Sequence, residues 1–130
     1  MAYRWVDHTA ELELEIEAAT EPAVFADALE AFAELVADGD GPAAERELEV
    51  RGAEPAALLV GWLDELTYLA ETQGFVPERA TSLELGTGRL RATVRGRTGD
   101  PRHLVKAVTL HRLAFAADGD GFRARVVLDV

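Results

Sequence analysis

The sequence predicts an α+β fold: a single two-layer domain over residues 1–130, with a mixed or antiparallel sheet and two main helices packed on one of its faces. Three observations predict it. Glu11 to Glu17 alternates polar and apolar residues without a break, the period of a half-buried strand. Two longer stretches repeat their apolar residues at helical spacing. The C-terminal part holds short runs divided by Gly- and Asp-rich turns too tight for a parallel crossover, so its strands are antiparallel.

Taken in order, the first strand puts Leu12, Leu14 and Ile16 on one face and Glu11, Glu13, Glu15 and Glu17 on the other. Thr20 then offers a side-chain cap, and Pro22 sits in a first helical turn, where its missing N–H costs nothing. Phe25, Ala28, Leu29, Phe32, Leu35 and Val36 form the apolar stripe of the first helix, which Asp38-Gly39-Asp40-Gly41-Pro42 stops. Glu45 to Arg51 is a short strand with Leu48 and Val50 inward. Pro55 opens the second helix, its stripe runs from Leu58 through Trp62 to Leu69, and Gly74 closes it. Strands at Ser82 to Leu85 and Arg89 to Arg95 flank the turn Gly86-Thr87-Gly88. After a Gly-rich break at Gly96 to Pro101, the stretch Arg102 to Lys106 reads as a helical turn. Strands at Val108 to Phe115 and Phe122 to Leu128 then flank Asp118-Gly119-Asp120-Gly121. No linker, low-complexity tract or repeat divides the chain, which implies one domain.

With 48% hydrophobic residues the chain has ample material for a core. The formal charge of -11 argues against gripping nucleic acid unaided, since phosphates are held by Lys and Arg clusters. A basic protein partner fits better, although the acid also serves solubility. The absence of cysteine excludes disulfides, thiolate zinc and a Cys nucleophile. Residues 1–11 carry charges throughout with no apolar core of a signal peptide, and no stretch approaches a membrane span, so the expected location is the cytoplasm, off the membrane.

The Asp-Gly-Asp-Gly stretches resemble calcium loops only superficially: position six from Asp38 is Ala43, and from Asp118 it is Arg123, where an EF-hand needs glycine. Both read as turns. Gly96-Arg97-Thr98-Gly99 lacks the spacing and lysine of a phosphate loop, and Ser82, the only serine, lies in an ordinary strand. His8, His103 and His111 lack zinc spacing, which favours structural or surface roles on residue grounds alone.

What remains are polar groups at element ends. Asp7, His8, Thr9 and Glu11 crowd the start of the first strand; Asp129 and the Val130 carboxylate close the last one. If the two ends meet, Glu11, Asp129 and Val130 offer three hard oxygen donors, a set suited to Ca²⁺, Mg²⁺ or Mn²⁺. Solvated acids at strand ends are the plainer alternative. Lys106 is the only lysine in the chain, either a functional cation or a surface residue paired with one of many acids.

Together these segments resemble the archease family. Asp7-His8-Thr9-Ala10-Glu11 is similar to its D-H-T-A-D opening, and Phe25 to Val36 and Leu58 to Leu66 to its two long helices. Lys106-Ala107-Val108-Thr109-Leu110-His111 is similar to its K-A-V-T-Y-H segment, and Val126-Val127-Leu128-Asp129-Val130 to its closing V-V-F-D-I. The resemblance implies a non-enzymatic accessory factor that activates an RtcB-type RNA ligase in tRNA splicing and RNA repair, promoting guanylylation and multiple turnover. It implies a divalent cation on Glu11, Asp129 and Val130, with Ca²⁺ expected first and Mg²⁺ or Mn²⁺ as alternatives. Lys106 would be the functional lysine, with His8 and His111 supporting the same site or merely packing. Two positions depart from the pattern: Glu11 replaces Asp, reaching one methylene further, and Leu110 replaces Tyr, removing a hydroxyl. The competing expectations are a chaperone-like modulator of a tRNA-modifying enzyme and a small metal-dependent enzyme. The oligomeric state stays open.

Overall fold

The computed structural model describes residues 2–8, 11–37, 39–101 and 105–130, with backbone alone at Ala2 and His8. Among these residues the elements run β1 (Ala2–His8), β2 (Glu11–Ala18), α1 (Glu21–Val36), β3 (Ala43–Arg51), α2 (Pro55–Gln73), β4 (Phe75–Gly86), β5 (Arg89–Thr98), β6 (Ala107–Asp118) and β7 (Gly121–Asp129). The expected α+β class holds. The strands, however, divide into two sheets where one was expected: a four-stranded sheet in the order β1-β2-β7-β6 and a three-stranded sheet in the order β3-β5-β4. All their pairings are antiparallel. Alternation tells which face of a strand is buried but not which strands share hydrogen bonds, so the division was not readable from period alone.

α1 starts at a side-chain cap and α2 stops at a glycine cap. The Thr20 hydroxyl accepts from the Ala23 amide at 3.2 Å, satisfying one orphan donor of α1, and Pro22 occupies its first turn. Pro55 opens α2, and Gly74 ends it at φ 62°, with its amide donating to Ala70 at 3.1 Å. A Cβ at Gly74 would lie 2.5 Å from the Gly99 carbonyl oxygen, so glycine is required twice over.

The helices pack against strands of both sheets rather than on one face of a single sheet. One continuous core results: Leu14, Ile16 and Val126 from the four-stranded sheet, Val50, Leu90 and Val94 from the other, and Phe25, Phe32, Trp62 and Leu66 between them. Each large side chain so buried contributes roughly 1.5–3 kcal/mol. Trp62 also ties the helices together, its Nε1 donating to the Phe25 carbonyl at 3.0 Å.

Two further expectations change. β1 precedes β2, the first strand that the sequence predicts; Tyr3 and Trp5 pack against the core while Arg4 between them reaches Glu15 on β2. β4 begins seven residues before Ser82, at Phe75, and its register shifts at Pro77/Arg79 and Ala80/Ser82 conceal it by breaking the alternation. The sequence predicts a turn at each Asp-Gly stretch. The second is one: Asp118 pairs with Gly121 across a two-residue loop with Gly119 at φ 63°. Most of the turn expected at Arg102 to Lys106 lies outside the described residues.

Candidate functional site

The two polar chain regions flagged by the sequence meet at one corner of the four-stranded sheet. β2 pairs with β7 so that Glu11 stands opposite Asp129, β1 pairs His8 with Glu11, and β6 pairs Ala107 with Asp129. His8, Glu11, Asp129 and Ala107 therefore form one continuous row across all four strands. Directly opposed residues share a face with Cβ atoms about 4.5–5.5 Å apart, so the Glu11 and Asp129 carboxylates are neighbours. By strand alternation that face is the outward one, shared with Glu13, Glu15, Glu17, Arg123 and Arg125, while Leu14, Ile16, Val126 and Leu128 point inward. Lys106 joins the corner through its backbone: its amide donates to the Asp129 carbonyl at 2.7 Å. The Lys106 side chain is exposed, and no ion pair of its ammonium occurs among the described residues. The His8 side chain, like Thr9 and Ala10, lies outside the described residues.

The next row carries a feature that sequence reasoning missed. Between the pairs Thr109–Val127 and Ala114–Arg125, β6 contains three extra residues relative to β7. This large bulge exposes Leu110, His111 and Arg112. Arg112 has φ 60°, a left-handed conformation that costs a non-glycine residue about 1–2 kcal/mol. Three contacts hold it. Arg112 Nε lies 3.4 Å from Glu13 Oε1, Arg125 Nε donates to the Arg112 carbonyl at 2.9 Å, and the His111 amide donates to Thr109 Oγ1 at 3.3 Å. Glu13 and Val127 sit on the outward face by alternation, yet they are only 2% and 1% exposed. Arg112 reaches from the bulge to that row and brings a cation to the buried Glu13 carboxylate. A bulge leaves no trace in composition; the closest sequence signal is an arginine within an otherwise plain strand run.

Further along the same face lies a groove of about 410 Å³, lined by Arg4, Glu15, Glu17, Arg123 and Arg125 among others. Its charges are internally matched. Arg4 pairs with Glu15 at 2.5 Å, and Arg123 bridges Glu17 and Asp118. The Arg4 guanidinium holds the Glu15 carboxyl below the usual carboxylate range. Such a groove has little net pull on an anion. On the far side of the sheet, Asp27 of α1 is buried with Oδ2 lacking a hydrogen bond, and burial, reinforced by Glu30, pushes its carboxyl above the usual range.

The corner can hold a cation in kind more readily than in number. Two side-chain carboxylates stand opposed, but no cluster of three His, Cys, Asp or Glu residues suited to a metal occurs among the described residues. Hard oxygen donors fit Ca²⁺, Mg²⁺ or Mn²⁺, whose six to eight or six ligands would have to come largely from elsewhere.

A family model, that of the archease protein family (MTH1598/TM1083), matches residues 3–130. The chain belongs to the archease family. Curated relatives named "Protein archease" include one from Archaeoglobus fulgidus, 33% identical over the whole of both chains. Another, from Pyrobaculum neutrophilum, is 30% identical over 98% of this chain and 95% of its own. Among solved structures, the solution structure of Methanobacterium thermoautotrophicum protein 1598 superposes with a TM-score of 0.74 at 26% identity, covering 98% of each chain. A Thermotoga maritima archease described as a possible chaperone shares the fold, with a TM-score of 0.72 at 23% identity over 96% of this chain and 94% of its own. No helix among the described residues is long and apolar enough to cross a membrane.

Proposed function

We propose that this archease is a cytoplasmic accessory factor, not itself an enzyme, that activates an RtcB-type RNA ligase in tRNA splicing or RNA repair. The observation that supports it is the corner where Glu11 opposes Asp129 and the Lys106 amide bonds to Asp129. Glu11, Asp129 and Val130 would hold a divalent cation, whose chemistry is to neutralise and stabilise developing negative charge. The chain's own residues bind and orient. Opposed carboxylates repel one another, so they are poised to accept positive charge from a cation or a partner. Lys106, exposed and one residue before β6, offers an ammonium to a phosphate or a ligase carboxylate, and His111 supplies a neighbouring imidazole from the bulge. Because the chain as a whole carries a formal charge of -11, binding goes to protein rather than directly to RNA.

The test follows guanylylation of the cognate ligase with wild-type protein, Lys106→Ala and Asp129→Ala. Loss of stimulation by either variant with its fold intact supports the proposal; wild-type stimulation by both sinks it. A second reading, a chaperone-like modulator of a tRNA-modifying enzyme, draws on the description of the Thermotoga maritima protein. Activity that survives chelator, with a methyltransferase rather than a ligase as the partner, would select it.

A further inference from the structure

We infer that the β6 bulge is a docking tip, with Leu110 as the apolar anchor that seats in a pocket of a basic-rimmed protein partner and Glu13–Arg112 as the clasp that fixes its projection. The inference rests on the ligase reading above and names the surface by which that partner is gripped. Leu110 is 72% exposed, one of only two large exposed apolar side chains among the described residues; the other, Tyr68, lies on α2. Single exposed apolar residues are common on proteins and by themselves mean little. Leu110 differs in what holds it out. It rides on the three-residue insertion, two positions before a left-handed arginine that lies 3.4 Å from a buried carboxylate, with Arg125 securing the Arg112 carbonyl. A β6 without the insertion would need neither the strained backbone nor the buried charge. Strain of that kind persists where the surroundings over-determine it and is concentrated at binding sites.

The geometry also selects the occupant. β6 is an edge strand, and a bulge disrupts the ladder that an added strand would need, so a partner meets side chains here rather than backbone. A second copy of this chain would bring another charge of -11 against the same acidic corner. A partner whose apolar pocket is rimmed by Lys or Arg gains from the chain's net charge of -11 and from Glu11 and Asp129, whose row ends on β6 at Ala107, three residues before Leu110. Buried apolar anchors at the centre of such contacts carry a disproportionate share of affinity.

The experiment titrates the cognate RtcB-type ligase with this protein and reads the half-saturating concentration separately from the plateau of guanylylation. Leu110→Ala should raise the half-saturating concentration at least about tenfold and leave the plateau unchanged. Glu13→Gln, shown folded by its melting curve at the assay temperature, should raise it less, again without lowering the plateau, because it frees the tip without removing it. An unshifted half-saturation for Leu110→Ala beside an active wild type overturns the docking tip while leaving the ligase reading intact. A shift for Leu110→Ala with none for folded Glu13→Gln overturns the clasp. A wild type with no effect on the ligase takes down both readings together. Sedimentation of the wild type alone completes the test: a dimer abolished by Leu110→Ala assigns the tip to a second copy and overturns the basic partner.

Discussion

Replacing Arg112 by alanine removes a cation from beside a glutamate that the fold cannot readily re-solvate. Glu13 is 3% exposed at its side chain and Arg112 47%, with Nε and Oε1 3.4 Å apart. Breaking a fully buried pair costs about 3–5 kcal/mol, because one charge is left in a poor solvent. Here water reaches half of the arginine, so the expected loss is smaller, about 1–3 kcal/mol. For a domain of this size that lowers Tm by roughly 3–10 °C. The backbone adds a control. Since Arg112 sits at φ 60°, Arg112→Gly removes the same cation but relieves the left-handed penalty, and it should recover about 1 kcal/mol relative to Arg112→Ala. Arg112→Ala combined with Glu13→Leu removes both charges and should regain most of what the single variant loses. Thermal melts at neutral pH, followed by circular dichroism, measure all four proteins side by side. An Arg112→Ala melt within about 1 °C of the wild type would refute the reasoning, as would a glycine variant less stable than the alanine one.

Three further outcomes follow from other parts of the molecule. Opposed like charges at Glu11 and Asp129 repel by about 1 kcal/mol or less in a solvated setting, so Asp129→Asn should melt slightly higher than wild type in chelator. If the proposed cation site forms, millimolar Ca²⁺ should reverse that order through binding free energy that the variant lacks; equal calcium shifts in both would remove these carboxylates from any cation site. Asp27 has a folded-state carboxyl raised by burial. The stability it favours is therefore present below its unfolded value near 3.8 and lost as pH rises through the raised value, and Asp27→Asn should stabilise at pH 7 with the gain vanishing near pH 3. A gain that persists unchanged in acid would contradict this. Trp62→Phe keeps most of the core volume but deletes the Nε1 bond to Phe25, and should cost about 1–2 kcal/mol in chemical denaturation at an unchanged m-value.

The legible elements were those whose signal is local. β2 alternates over its whole length, and α1 carries its cap, its proline and its apolar stripe within one short stretch, so each was readable without knowing a partner. β1 is hard to read because its apolar alternation is short: among its described side chains only Tyr3 and Trp5, on either side of Arg4, pack against the core. β4 was shortened because two bulges interrupt the period by which a strand is recognised. Its missing half pairs Phe75 with Thr98 and Val76 with Arg97, a match that becomes visible only once β5 is in place. The separation into two sheets belongs to the same category, since strand order is decided by pairings between segments far apart in the chain.

The corner shows the same division more sharply. That Glu11 and Asp129 are oxygen donors at strand ends is a statement about residues, and the sequence contains it; that they oppose one another depends on a β2–β7 register across more than a hundred positions. Alternation placed Glu13 on the outward face with Glu11, Glu15 and Glu17, and in direction it was right. It was wrong about burial, because an outward residue is solvated only while nothing lies over the sheet. Val108 to Phe115 reads as one unbroken strand, so the three-residue insertion from which Arg112 reaches Glu13 has no periodic signature. A glutamate in a row of glutamates thus becomes a buried charge through a neighbour recruited from the other end of the chain. The rule that follows applies beyond this sheet. A charged residue on a solvent-facing stripe beside an edge strand deserves to be paired, in any reading, with the nearest arginine that a bulge in that edge could bring above it.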